Sequence, residues 1–404
     1  MATVKPFAAL RPDPALAARI CELPYDVFSS AEARAVAAGN TLSFLHASKP
    51  EIDLPPETGL YDERVYAQGR KAFLELIAKR ALIADREPAF YLYRQVMGEH
   101  SQLGLVGLAS CDEYVRNVIK KHELTRPDKE NDRVHHIESL NAQTGPAFLV
   151  WLSEPLLEER LSQVAQEPPE IDFIATDDIR HSSWSIRDPA EQRFIQERFA
   201  KMPSLYIADG HHRTAAAARI WQKRRSPATA GFLSVLFPHT QVQILPYNRL
   251  VKDLNGLTPQ AFLERLERVG TVRNTGVAKP VRKNEVSFYL ASGWQTLTFL
   301  PDRMNTTDPI ERLDATLLQK QVLAPLLGID DPRTSERIGF VGGIRGTAEL
   351  ERLVGRDEYA CAFSMFPTGI GDLIDVADAG GIMPPKSTWF EPKLRDGMFS
   401  HMLD

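Results

Sequence analysis

The sequence has few cysteines: Cys21, Cys111 and Cys361 are the three among 404 residues. They lie far apart and form no C-x-x-C pair, which excludes the usual cysteine pattern of a zinc site or a redox pair. No apolar run approaches the roughly 18 residues that a membrane span needs, and the first residues lack the charged and apolar regions of a signal peptide. We therefore expect a cytoplasmic protein, in a reducing compartment, that does not bind membranes.

The sequence also lacks an excess of positive charge. It contains 48 Lys and Arg residues against 53 Asp and Glu residues, which gives a formal net charge of −5. Proteins that bind nucleic acid without sequence preference need a large surplus of basic residues to neutralise its phosphates. The balance therefore argues against a nucleic-acid partner and favours a small-molecule substrate.

The length of the chain predicts more than one domain. A single hydrophobic core usually stops growing at about 250 to 300 residues, and this chain has 404. The 28 prolines punctuate many short segments. We place a boundary near residue 250, with an N-terminal region at 1–250 and a C-terminal α+β domain at 251–404.

The hydrophobic pattern predicts a mixed α+β protein. Residues 119–145 are rich in charge, and we expect either an active-site loop or an ordinary surface loop there. The predicted helices lie at 30–34, 61–81, 214–221, 259–268, 314–327 and 348–354. The predicted strands lie at 42–46, at two antiparallel segments of 88–112 joined near 98–100, and at 147–152, 204–208, 232–237, 242–246, 286–290 and 296–300.

The segment Asp209-Gly210-His211-His212-Arg213 lies between the strand at 204–208 and a helix, and it is the strongest functional signal. Gly210 permits a sharp turn, and the first amides of a helix attract anions such as phosphate. Arg213 and Thr214 add donors, and both imidazoles can donate protons or hydrogen bonds. Asp209 is a candidate ligand for Mg²⁺. The alternative is that Asp209 only caps the helix while the histidines lie at the surface.

A second candidate is the charged segment that contains Lys120, Lys121, His122 and Glu123. A kinase that acts on a hydroxyl group needs a carboxylate within hydrogen-bonding reach of that hydroxyl, and Glu123 is our candidate base. The alternative is a solvated charged loop. A base at Glu123 requires the fold to bring this segment close to Asp209.

The C-terminal segment contains Pro384-Pro385-Lys386 and, further on, Lys393. The two prolines remove amide donors that a Walker A loop needs, so this segment is not a P-loop. We expect Lys386 and Lys393 to bind phosphate oxygens near Asp209, or else to belong to a structural tail.

Six of the ten histidines lie between residues 122 and 212. This clustering suggests a metal, but no pair has the HxH or HxxxH spacing of a ligand pair. Mg²⁺ at Asp209 is therefore the better expectation.

Several motifs carry a family resemblance: YIADGHHRTAAAAR, CELPYDVFSSAEAR, IKKHELTRPDKENDR, LPYNRLVKDL and MPPKSTWFEPKLRDG. Together they resemble an uncharacterised prokaryotic family over nearly the whole chain. The Asp-Gly-His-x-Arg turn is similar to that of the ParB/sulfiredoxin-like superfamily, whose free serine kinases place a nucleotide phosphate on this turn. The resemblance implies a ParB/sulfiredoxin-like core in 1–250, with Glu123 as base and His122 orienting it.

The leading hypothesis is a kinase that uses ATP or ADP with Mg²⁺ to phosphorylate a small free hydroxyl compound such as L-serine, giving O-phosphoserine. Glu123, His122, Asp209 and His212 are the catalytic candidates. Two alternatives stay open: a phosphate-ester hydrolase, in which a histidine protonates the leaving oxygen, and a nucleotide-binding regulator of ParB type. A homodimer is also left open.

Overall fold

Residues 1–304 and 307–404 are described by the computed structural model, in which the chain forms two units. The first unit comprises Met1–Val242 and Pro392–Asp404, and the second comprises Gln243–Glu391. The chain thus passes from the first unit to the second after Val242 and returns to the first at Pro392. The segment 392–404, which the sequence analysis assigned to the C-terminal domain, belongs to the first unit.

Most of the strands are short, as the many prolines suggest. In chain order the strands are β1 (Val4–Lys5), β2 (Leu10–Pro12), β3 (Leu82–Ala84), β4 (Phe90–Met97), β5 (His100–Ser110), β6 (Ile119–Lys120), β7 (Ala142–Gln143), β8 (Ala147–Trp151), β9 (Ile171–Ile174), β10 (Arg180–Ile186), β11 (Leu205–Asp209), β12 (Gly231–Pro238), β13 (Gln243–Leu245), β14 (Tyr247–Val251), β15 (Gly270–Arg273), β16 (Glu285–Leu290), β17 (Gly293–Phe299), β18 (Ile338–Gly342), β19 (Cys361–Met365), β20 (Trp389–Glu391) and β21 (His401–Met402).

The helices often begin with a proline or a capping side chain, both of which favour a helix start. They are α1 (Ala17–Ile20), α2 (Ser30–Ala37), α3 (Leu45–Ser48), α4 (Glu63–Ala78), α5 (Cys111–Val115), α6 (Pro127–Leu140), α7 (Pro155–Val164), α8 (Pro189–Phe199), α9 (His211–Arg224), α10 (Pro259–Leu266), α11 (Asp314–Leu318), α12 (Ala348–Gly355) and α13 (Ile370–Asp378). Short 3-10 segments lie at Pro50–Asp53, Pro227–Thr229, His239–Gln241, Pro301–Arg303 and Gly343–Arg345, and a π-helical segment at Gln319–Leu323.

The first unit is built on a nine-stranded mixed sheet in the order β6-β11-β8-β12-β5-β4-β10-β9, with β1 paired to β5. Its central strands are buried; for example, all five residues of β8 are buried. Strand β6 runs parallel to β11, and β8 runs parallel to β12. The C-terminal strand β21 pairs with β7, which fixes the last segment of the chain on this unit.

The second unit contains a six-stranded sheet in the order β15-β17-β16-β19-β14-β18 and a two-stranded sheet of β13 and β20. Its core is formed by the apolar faces of the larger sheet together with α10 and α11; Phe262, Phe288 and Leu318 are examples of its fully buried side chains. Both units mix helices and strands, so the predicted α+β class is confirmed.

Two local predictions are wrong. The segment predicted as a strand at 42–46 contains the start of α3, because Phe44 and Ala47 pack into one apolar cluster and Leu45 into another, as a helical turn allows. The charged segment 119–145 is not a single loop, because it contains the 14-residue helix α6. The buried residues of α6 are Val134, His136, Ile137 and Leu140, so one narrow apolar face is enough to hold an otherwise charged helix.

Other local predictions are confirmed. The hairpin of β4 and β5 turns at residues 98–99, and the strand, turn and helix around residue 209 lie where the pattern placed them. Within residues 1–304 and 307–404, we find no helix with the length and apolar character that crossing a membrane requires.

Candidate active site

The turn between β11 and α9 has a conformation that requires glycine. Strand β11 ends at Asp209, and Gly210 has φ +94° and occupies the N-cap position of α9. A Cβ atom on Gly210 would lie 3.1 Å from the Arg213 guanidinium carbon and 3.2 Å from the Ala147 Cα atom. Both the left-handed backbone and the lack of space therefore select glycine at this position.

Helix α9 presents its N-terminal end at this turn. The Thr214 amide donates to the Gly210 carbonyl over 2.9 Å, and the Thr214 hydroxyl donates to the same oxygen over 3.1 Å. The amides of residues 211–213 precede this first helical bond, so they have no acceptor within the helix. Because the helix dipole adds positive potential at this end, the turn is suited to an anion. The Thr214 hydroxyl is buried and already used, which leaves the amides as the main donors.

Asp209 is held between two cations. Lys393 Nζ lies 2.9 Å from Oδ2 of Asp209, and the Arg213 guanidinium lies 3.5 Å from Oδ1. Burial opposes ionisation of this carboxyl, but Lys393 and Arg213 outweigh burial and hold its pKa well below the usual range. The ionised carboxylate thus positions two cations at the end of β11. Coordination of Mg²⁺ by Asp209 stays a prediction, and Oδ1 is the less tightly held oxygen.

The parallel pairing of β6 with β11 brings the second predicted segment to this turn. Ile119 pairs with Leu205 and Lys120 with Tyr206, so the residues after each strand emerge at the same edge of the sheet. The Glu123 carboxylate consequently lies 3.9 Å from Nδ1 of His211. The Glu123 side chain is 53% exposed, whereas His211 is only 4% exposed. A carboxylate that solvent can reach therefore stands beside a buried imidazole.

Two buried imidazoles meet next to Glu123. The rings of His122 and His211 are 4.5 Å apart in an edge-to-face arrangement. Burial lowers the pKa of His122 to about 4, despite a hydrogen bond to the backbone of Ile207. Burial, followed by the neighbouring His122, also lowers the pKa of His211 well below its ordinary value. Both rings are therefore neutral at pH 7, and each can offer a nitrogen lone pair.

These residues form a group that can hold a metal ion. Donor atoms of His122, Glu123 and His211 all lie within 4.8 Å of one another. In the described part of the chain, Nδ1 of His122 and Nε2 of His211 are buried without a hydrogen-bond partner. Two imidazoles and a carboxylate suit Zn²⁺ or Mn²⁺ better than Mg²⁺. Ligand spacing along the sequence does not reveal this group, because the pairing of β6 with β11 brings His122 and Glu123 to His211.

The remaining predicted site residues are distributed over both units. His212 is half-buried, its pKa is lowered by burial, and its Nε2 accepts a hydrogen bond from the Arg126 amide over 3.0 Å. The Arg213 side chain donates to the Pro146 carbonyl over 2.5 Å. Lys386 belongs to the second unit, where its ammonium lies 5.2 Å from the centre of the Tyr247 ring.

Four of the residues that line a cavity beside Arg213 were not among the predicted catalytic or binding residues. They are Tyr25, Ser48, Arg133 and Asp396. The motif segments of the family resemblance contain three of them, Tyr25, Arg133 and Asp396, and that overlap is the signal that could have drawn attention to them.

The sequence of residues 4–316 matches the family described as protein of unknown function (DUF1015), and the chain belongs to this family. No curated protein matches the chain. Among solved structures, SbnI with a C-terminal truncation from Staphylococcus aureus is 11% identical, with 72% of this chain and 85% of that chain covered and a TM-score of 0.41.

Two further solved structures are similar to the chain. A free serine kinase in complex with AMP is 11% identical, with 70% of this chain and 85% of that chain covered and a TM-score of 0.36. A conserved hypothetical protein from Pyrococcus furiosus is 12% identical, with 70% and 88% covered and a TM-score of 0.34.

Proposed function

We propose that this protein is a phosphotransferase that moves a phosphoryl group from ATP or ADP to a small free hydroxyl compound, with L-serine as the leading candidate. The observation that carries the proposal is the position of Glu123, whose carboxylate lies 3.9 Å from His211, the first residue of α9 after the Gly210 turn. A hydroxyl bound at this edge of the sheet would have the Glu123 carboxylate as its proton acceptor. A phosphate bound beside it would have the first amides of α9 as donors, and transfer requires both partners.

The donor phosphate is expected to bind at the amides of residues 211–213. Lys393 and Arg213, which Asp209 positions, offset the negative charge of the phosphate oxygens. Lys393 lies 2.9 Å from Asp209, so a phosphate oxygen at the turn would compete with that carboxylate for the same ammonium. Mg²⁺ at Oδ1 of Asp209, when bound, would supply further charge neutralisation.

Glu123 is the general base in this proposal. The hydroxyl oxygen attacks the terminal phosphorus while its proton passes to Glu123, and the bond to the bridging oxygen breaks. The nucleotide then leaves with one phosphate fewer. The exposure of Glu123 supports this role, since a substrate can approach the carboxylate from solvent. His122 packs against His211 and is proposed to keep this edge of the site in place.

The test is the formation of O-phosphoserine from L-serine with ATP or ADP and Mg²⁺. Removal of a general base lowers rates by about 10² to 10⁴-fold, so Glu123→Gln should lose at least about a hundredfold. Asp209→Asn should also lose activity, because it no longer positions Lys393 and Arg213. Glu159→Gln, on the exposed face of α7, is the matched control and should keep full activity. Unchanged rates in Glu123→Gln would remove the base from the proposal. Nucleotide binding without turnover of any hydroxyl compound would favour a nucleotide-binding regulator.

A second candidate function is hydrolysis of a phosphate ester, which the grouping of His122, Glu123 and His211 favours. A metal ion held there would lower the pKa of a bound water and supply a nucleophile near neutral pH. The test is release of phosphate from O-phosphoserine with Mn²⁺, Zn²⁺ or Mg²⁺. Activity that depends on Mn²⁺ or Zn²⁺ and disappears in His211→Ala would select hydrolysis, whereas transfer that needs only Mg²⁺ would exclude it.

A further inference from the structure

A cavity of about 30 Å³ lies beside the proposed phosphate site in the first unit. It forms where seven parts of the chain converge: the connection from α1 to α2, the end of α3, the middle of α6, the connection from β7 to β8, the start of α9, the start of β12 and the C-terminal segment. Strand β21 holds that last segment by pairing with β7. The cavity is therefore built from distant parts of the sequence, and its polar lining is set by the fold.

Two arginines line this cavity. The side chains of Arg133 and Arg213 are 11% and 10% exposed, respectively. Arg133 pairs with Asp132 over 2.7 Å, and its guanidinium lies 3.9 Å from the centre of the Tyr25 ring. Arg213 donates to Pro146, but its Nε is buried without a partner in the residues that the structure describes. Each guanidinium has five donors, so both retain donors for a ligand.

A hydroxyl and a carboxyl group complete the lining. Ser48 is 2% exposed, and its hydroxyl oxygen is buried with no hydrogen-bond partner among residues 1–304 and 307–404. Asp396 is also 2% exposed, and burial raises its pKa to about 7 while Arg213 and Arg133 oppose that rise. Unsatisfied polar atoms in a buried cavity indicate that a polar group fills it.

Gly145 shows how closely the charged groups approach one another. A Cβ atom on Gly145 would lie 3.2 Å from Cδ of Arg213 and 3.3 Å from Oδ1 of Asp396. The space beside Gly145 is thus shared by a guanidinium and a carboxyl group. A ligand that carries both charges would match this arrangement, whereas a phosphate would be repelled by the ionised form of Asp396.

We propose that this cavity binds the α-carboxylate of an amino-acid substrate through Arg133, Arg213 and Ser48, with Asp396 facing its ammonium group. A cavity needs about 10 to 15 Å³ for each water-sized group, so 30 Å³ accommodates a carboxylate and leaves the hydroxyl end outside. Arg213 faces both Asp209 and this cavity, so one side chain links the carboxylate to the phosphate turn. The inference rests on the proposed function and names the substrate class of that site.

The experiment is calorimetric titration of the full-length protein, without nucleotide, with L-serine, ethanolamine and 3-hydroxypropionate. Ethanolamine lacks the carboxylate and 3-hydroxypropionate lacks the ammonium group, so both should bind at least about tenfold more weakly than L-serine. Gly145→Ala and Arg133→Gln should each weaken L-serine binding by about tenfold or more. Arg116→Gln, in an exposed ion pair with Asp112 at the C-terminal end of α5, is the matched control and should bind L-serine like the wild type.

ADP binding serves as the folding check for Arg133→Gln and should be unchanged there. Urea unfolding is the folding check for Gly145→Ala, because the added Cβ would also press on Arg213 of the phosphate turn. Equal binding of ethanolamine and L-serine, or unchanged L-serine binding in Gly145→Ala, would overturn the assignment, as would a wild-type protein that binds ADP but not L-serine. If L-serine binding depends on Gly145 while no O-phosphoserine forms with ATP or ADP, the cavity assignment stands and the phosphotransferase proposal fails.

Discussion

Each unit of the molecule contains a strand, a glycine turn and a helix, yet only one of these motifs gathers chemical groups. In the first unit β11 leads through Gly210 into α9, and in the second unit β18 leads through Gly346 into α12. Both glycines have left-handed φ angles, +94° and +69°. The backbone motif alone therefore does not make a site.

The two helix starts differ in charge. The first turn of α12 carries Glu349 and Glu351, whose negative charge compensates the helix dipole. Glu349 pairs with Arg352 over 2.7 Å, and Glu351 accepts a hydrogen bond from the Trp294 indole over 2.7 Å. The first turn of α9 carries no acidic residue, so its positive end stays available to a ligand.

The neighbouring elements differ as well. Strand β11 lies between β8 and the parallel strand β6, which delivers His122 and Glu123 to the same edge of the sheet. Strand β18 lies at the edge of its sheet, with β14 antiparallel to it. A glycine turn becomes a candidate site here because a parallel neighbour and a returning chain end bring side chains to it.

The largest expected effect comes from replacing the two turn glycines. Gly210→Ala should abolish nucleotide binding and lower the free energy of unfolding by about 1 to 3 kcal/mol, because the backbone is left-handed and Arg213 and Ala147 leave no room for a Cβ. Gly346→Ala should also cost stability because of its left-handed φ, but it should leave nucleotide binding unchanged. Among residues 1–304 and 307–404, no atom beyond its chain neighbours lies within 4 Å of its Cβ position. Calorimetric titration with ADP and urea unfolding measure both. Loss of ADP binding in both variants would contradict the assignment of the nucleotide site to the turn between β11 and α9.

The pH dependence of stability should also separate the units, because all ten histidines lie in the first unit. Burial lowers the pKa of His122 from 6.5 to about 4, so the unfolded chain binds a proton in this range that the folded chain does not. The contribution of His122 is present above pH 6.5 and falls by roughly 3 kcal/mol as the pH drops to 4. Urea unfolding between pH 4.5 and 7 should show a shallower loss in His122→Gln than in the wild type. If the free energy of unfolding fell equally steeply with pH in both proteins, the lowered pKa of His122 would be contradicted.

Buried carboxyl groups with a raised pKa give the opposite dependence of stability on pH, at Asp314 in the second unit and at Asp396 in the first. Burial raises the pKa of Asp314 from 3.8 to about 6. The folded state therefore binds a proton that the unfolded state releases, and the contribution of Asp314 to stability is lost as the pH rises from 3.8 through 6. Asp314→Asn is accordingly the control for the histidine variant. In urea unfolding, it should reduce the loss of stability that occurs as the pH rises from 3.8 through 6.

Much of the local structure around the site could be predicted from sequence, whereas its assembly could not. The helix signal of α9 and the apolar run of β11 are local, so the strand-turn-helix motif was predicted correctly. Helix α6 was missed because its apolar face is narrow among many charges. The positions of Lys393 and Asp396 depend on pairing of β21 with β7, which joins residues far apart in sequence and leaves no periodic signal.

The two predicted phosphate-binding lysines give the next effect in size. Lys393→Met should weaken ADP binding by about tenfold, because it removes a charged donor 2.9 Å from Asp209 at the turn. Lys386→Met should have the smaller effect, since its ammonium lies over the Tyr247 ring in the second unit. The comparison uses the same titration in low salt, where exposed charges act most strongly. A larger effect from Lys386 would show that the turn does not supply the main phosphate contacts.

The smallest effect tests whether the carboxylates of α12 keep anions away from that helix. Glu349→Gln removes a charge that is 21% exposed and paired with Arg352. Exposed pairs and helix-dipole interactions are each worth roughly 0.3 to 1 kcal/mol, so the free energy of unfolding should change by about 0.5 kcal/mol. No ADP should bind to α12 in this variant, even when Gly210→Ala has removed binding at α9. If the variant that combines Glu349→Gln with Gly210→Ala bound ADP, the charge at the start of the helix would decide where an anion binds. The side chains that converge on α9 from other strands would then not be decisive.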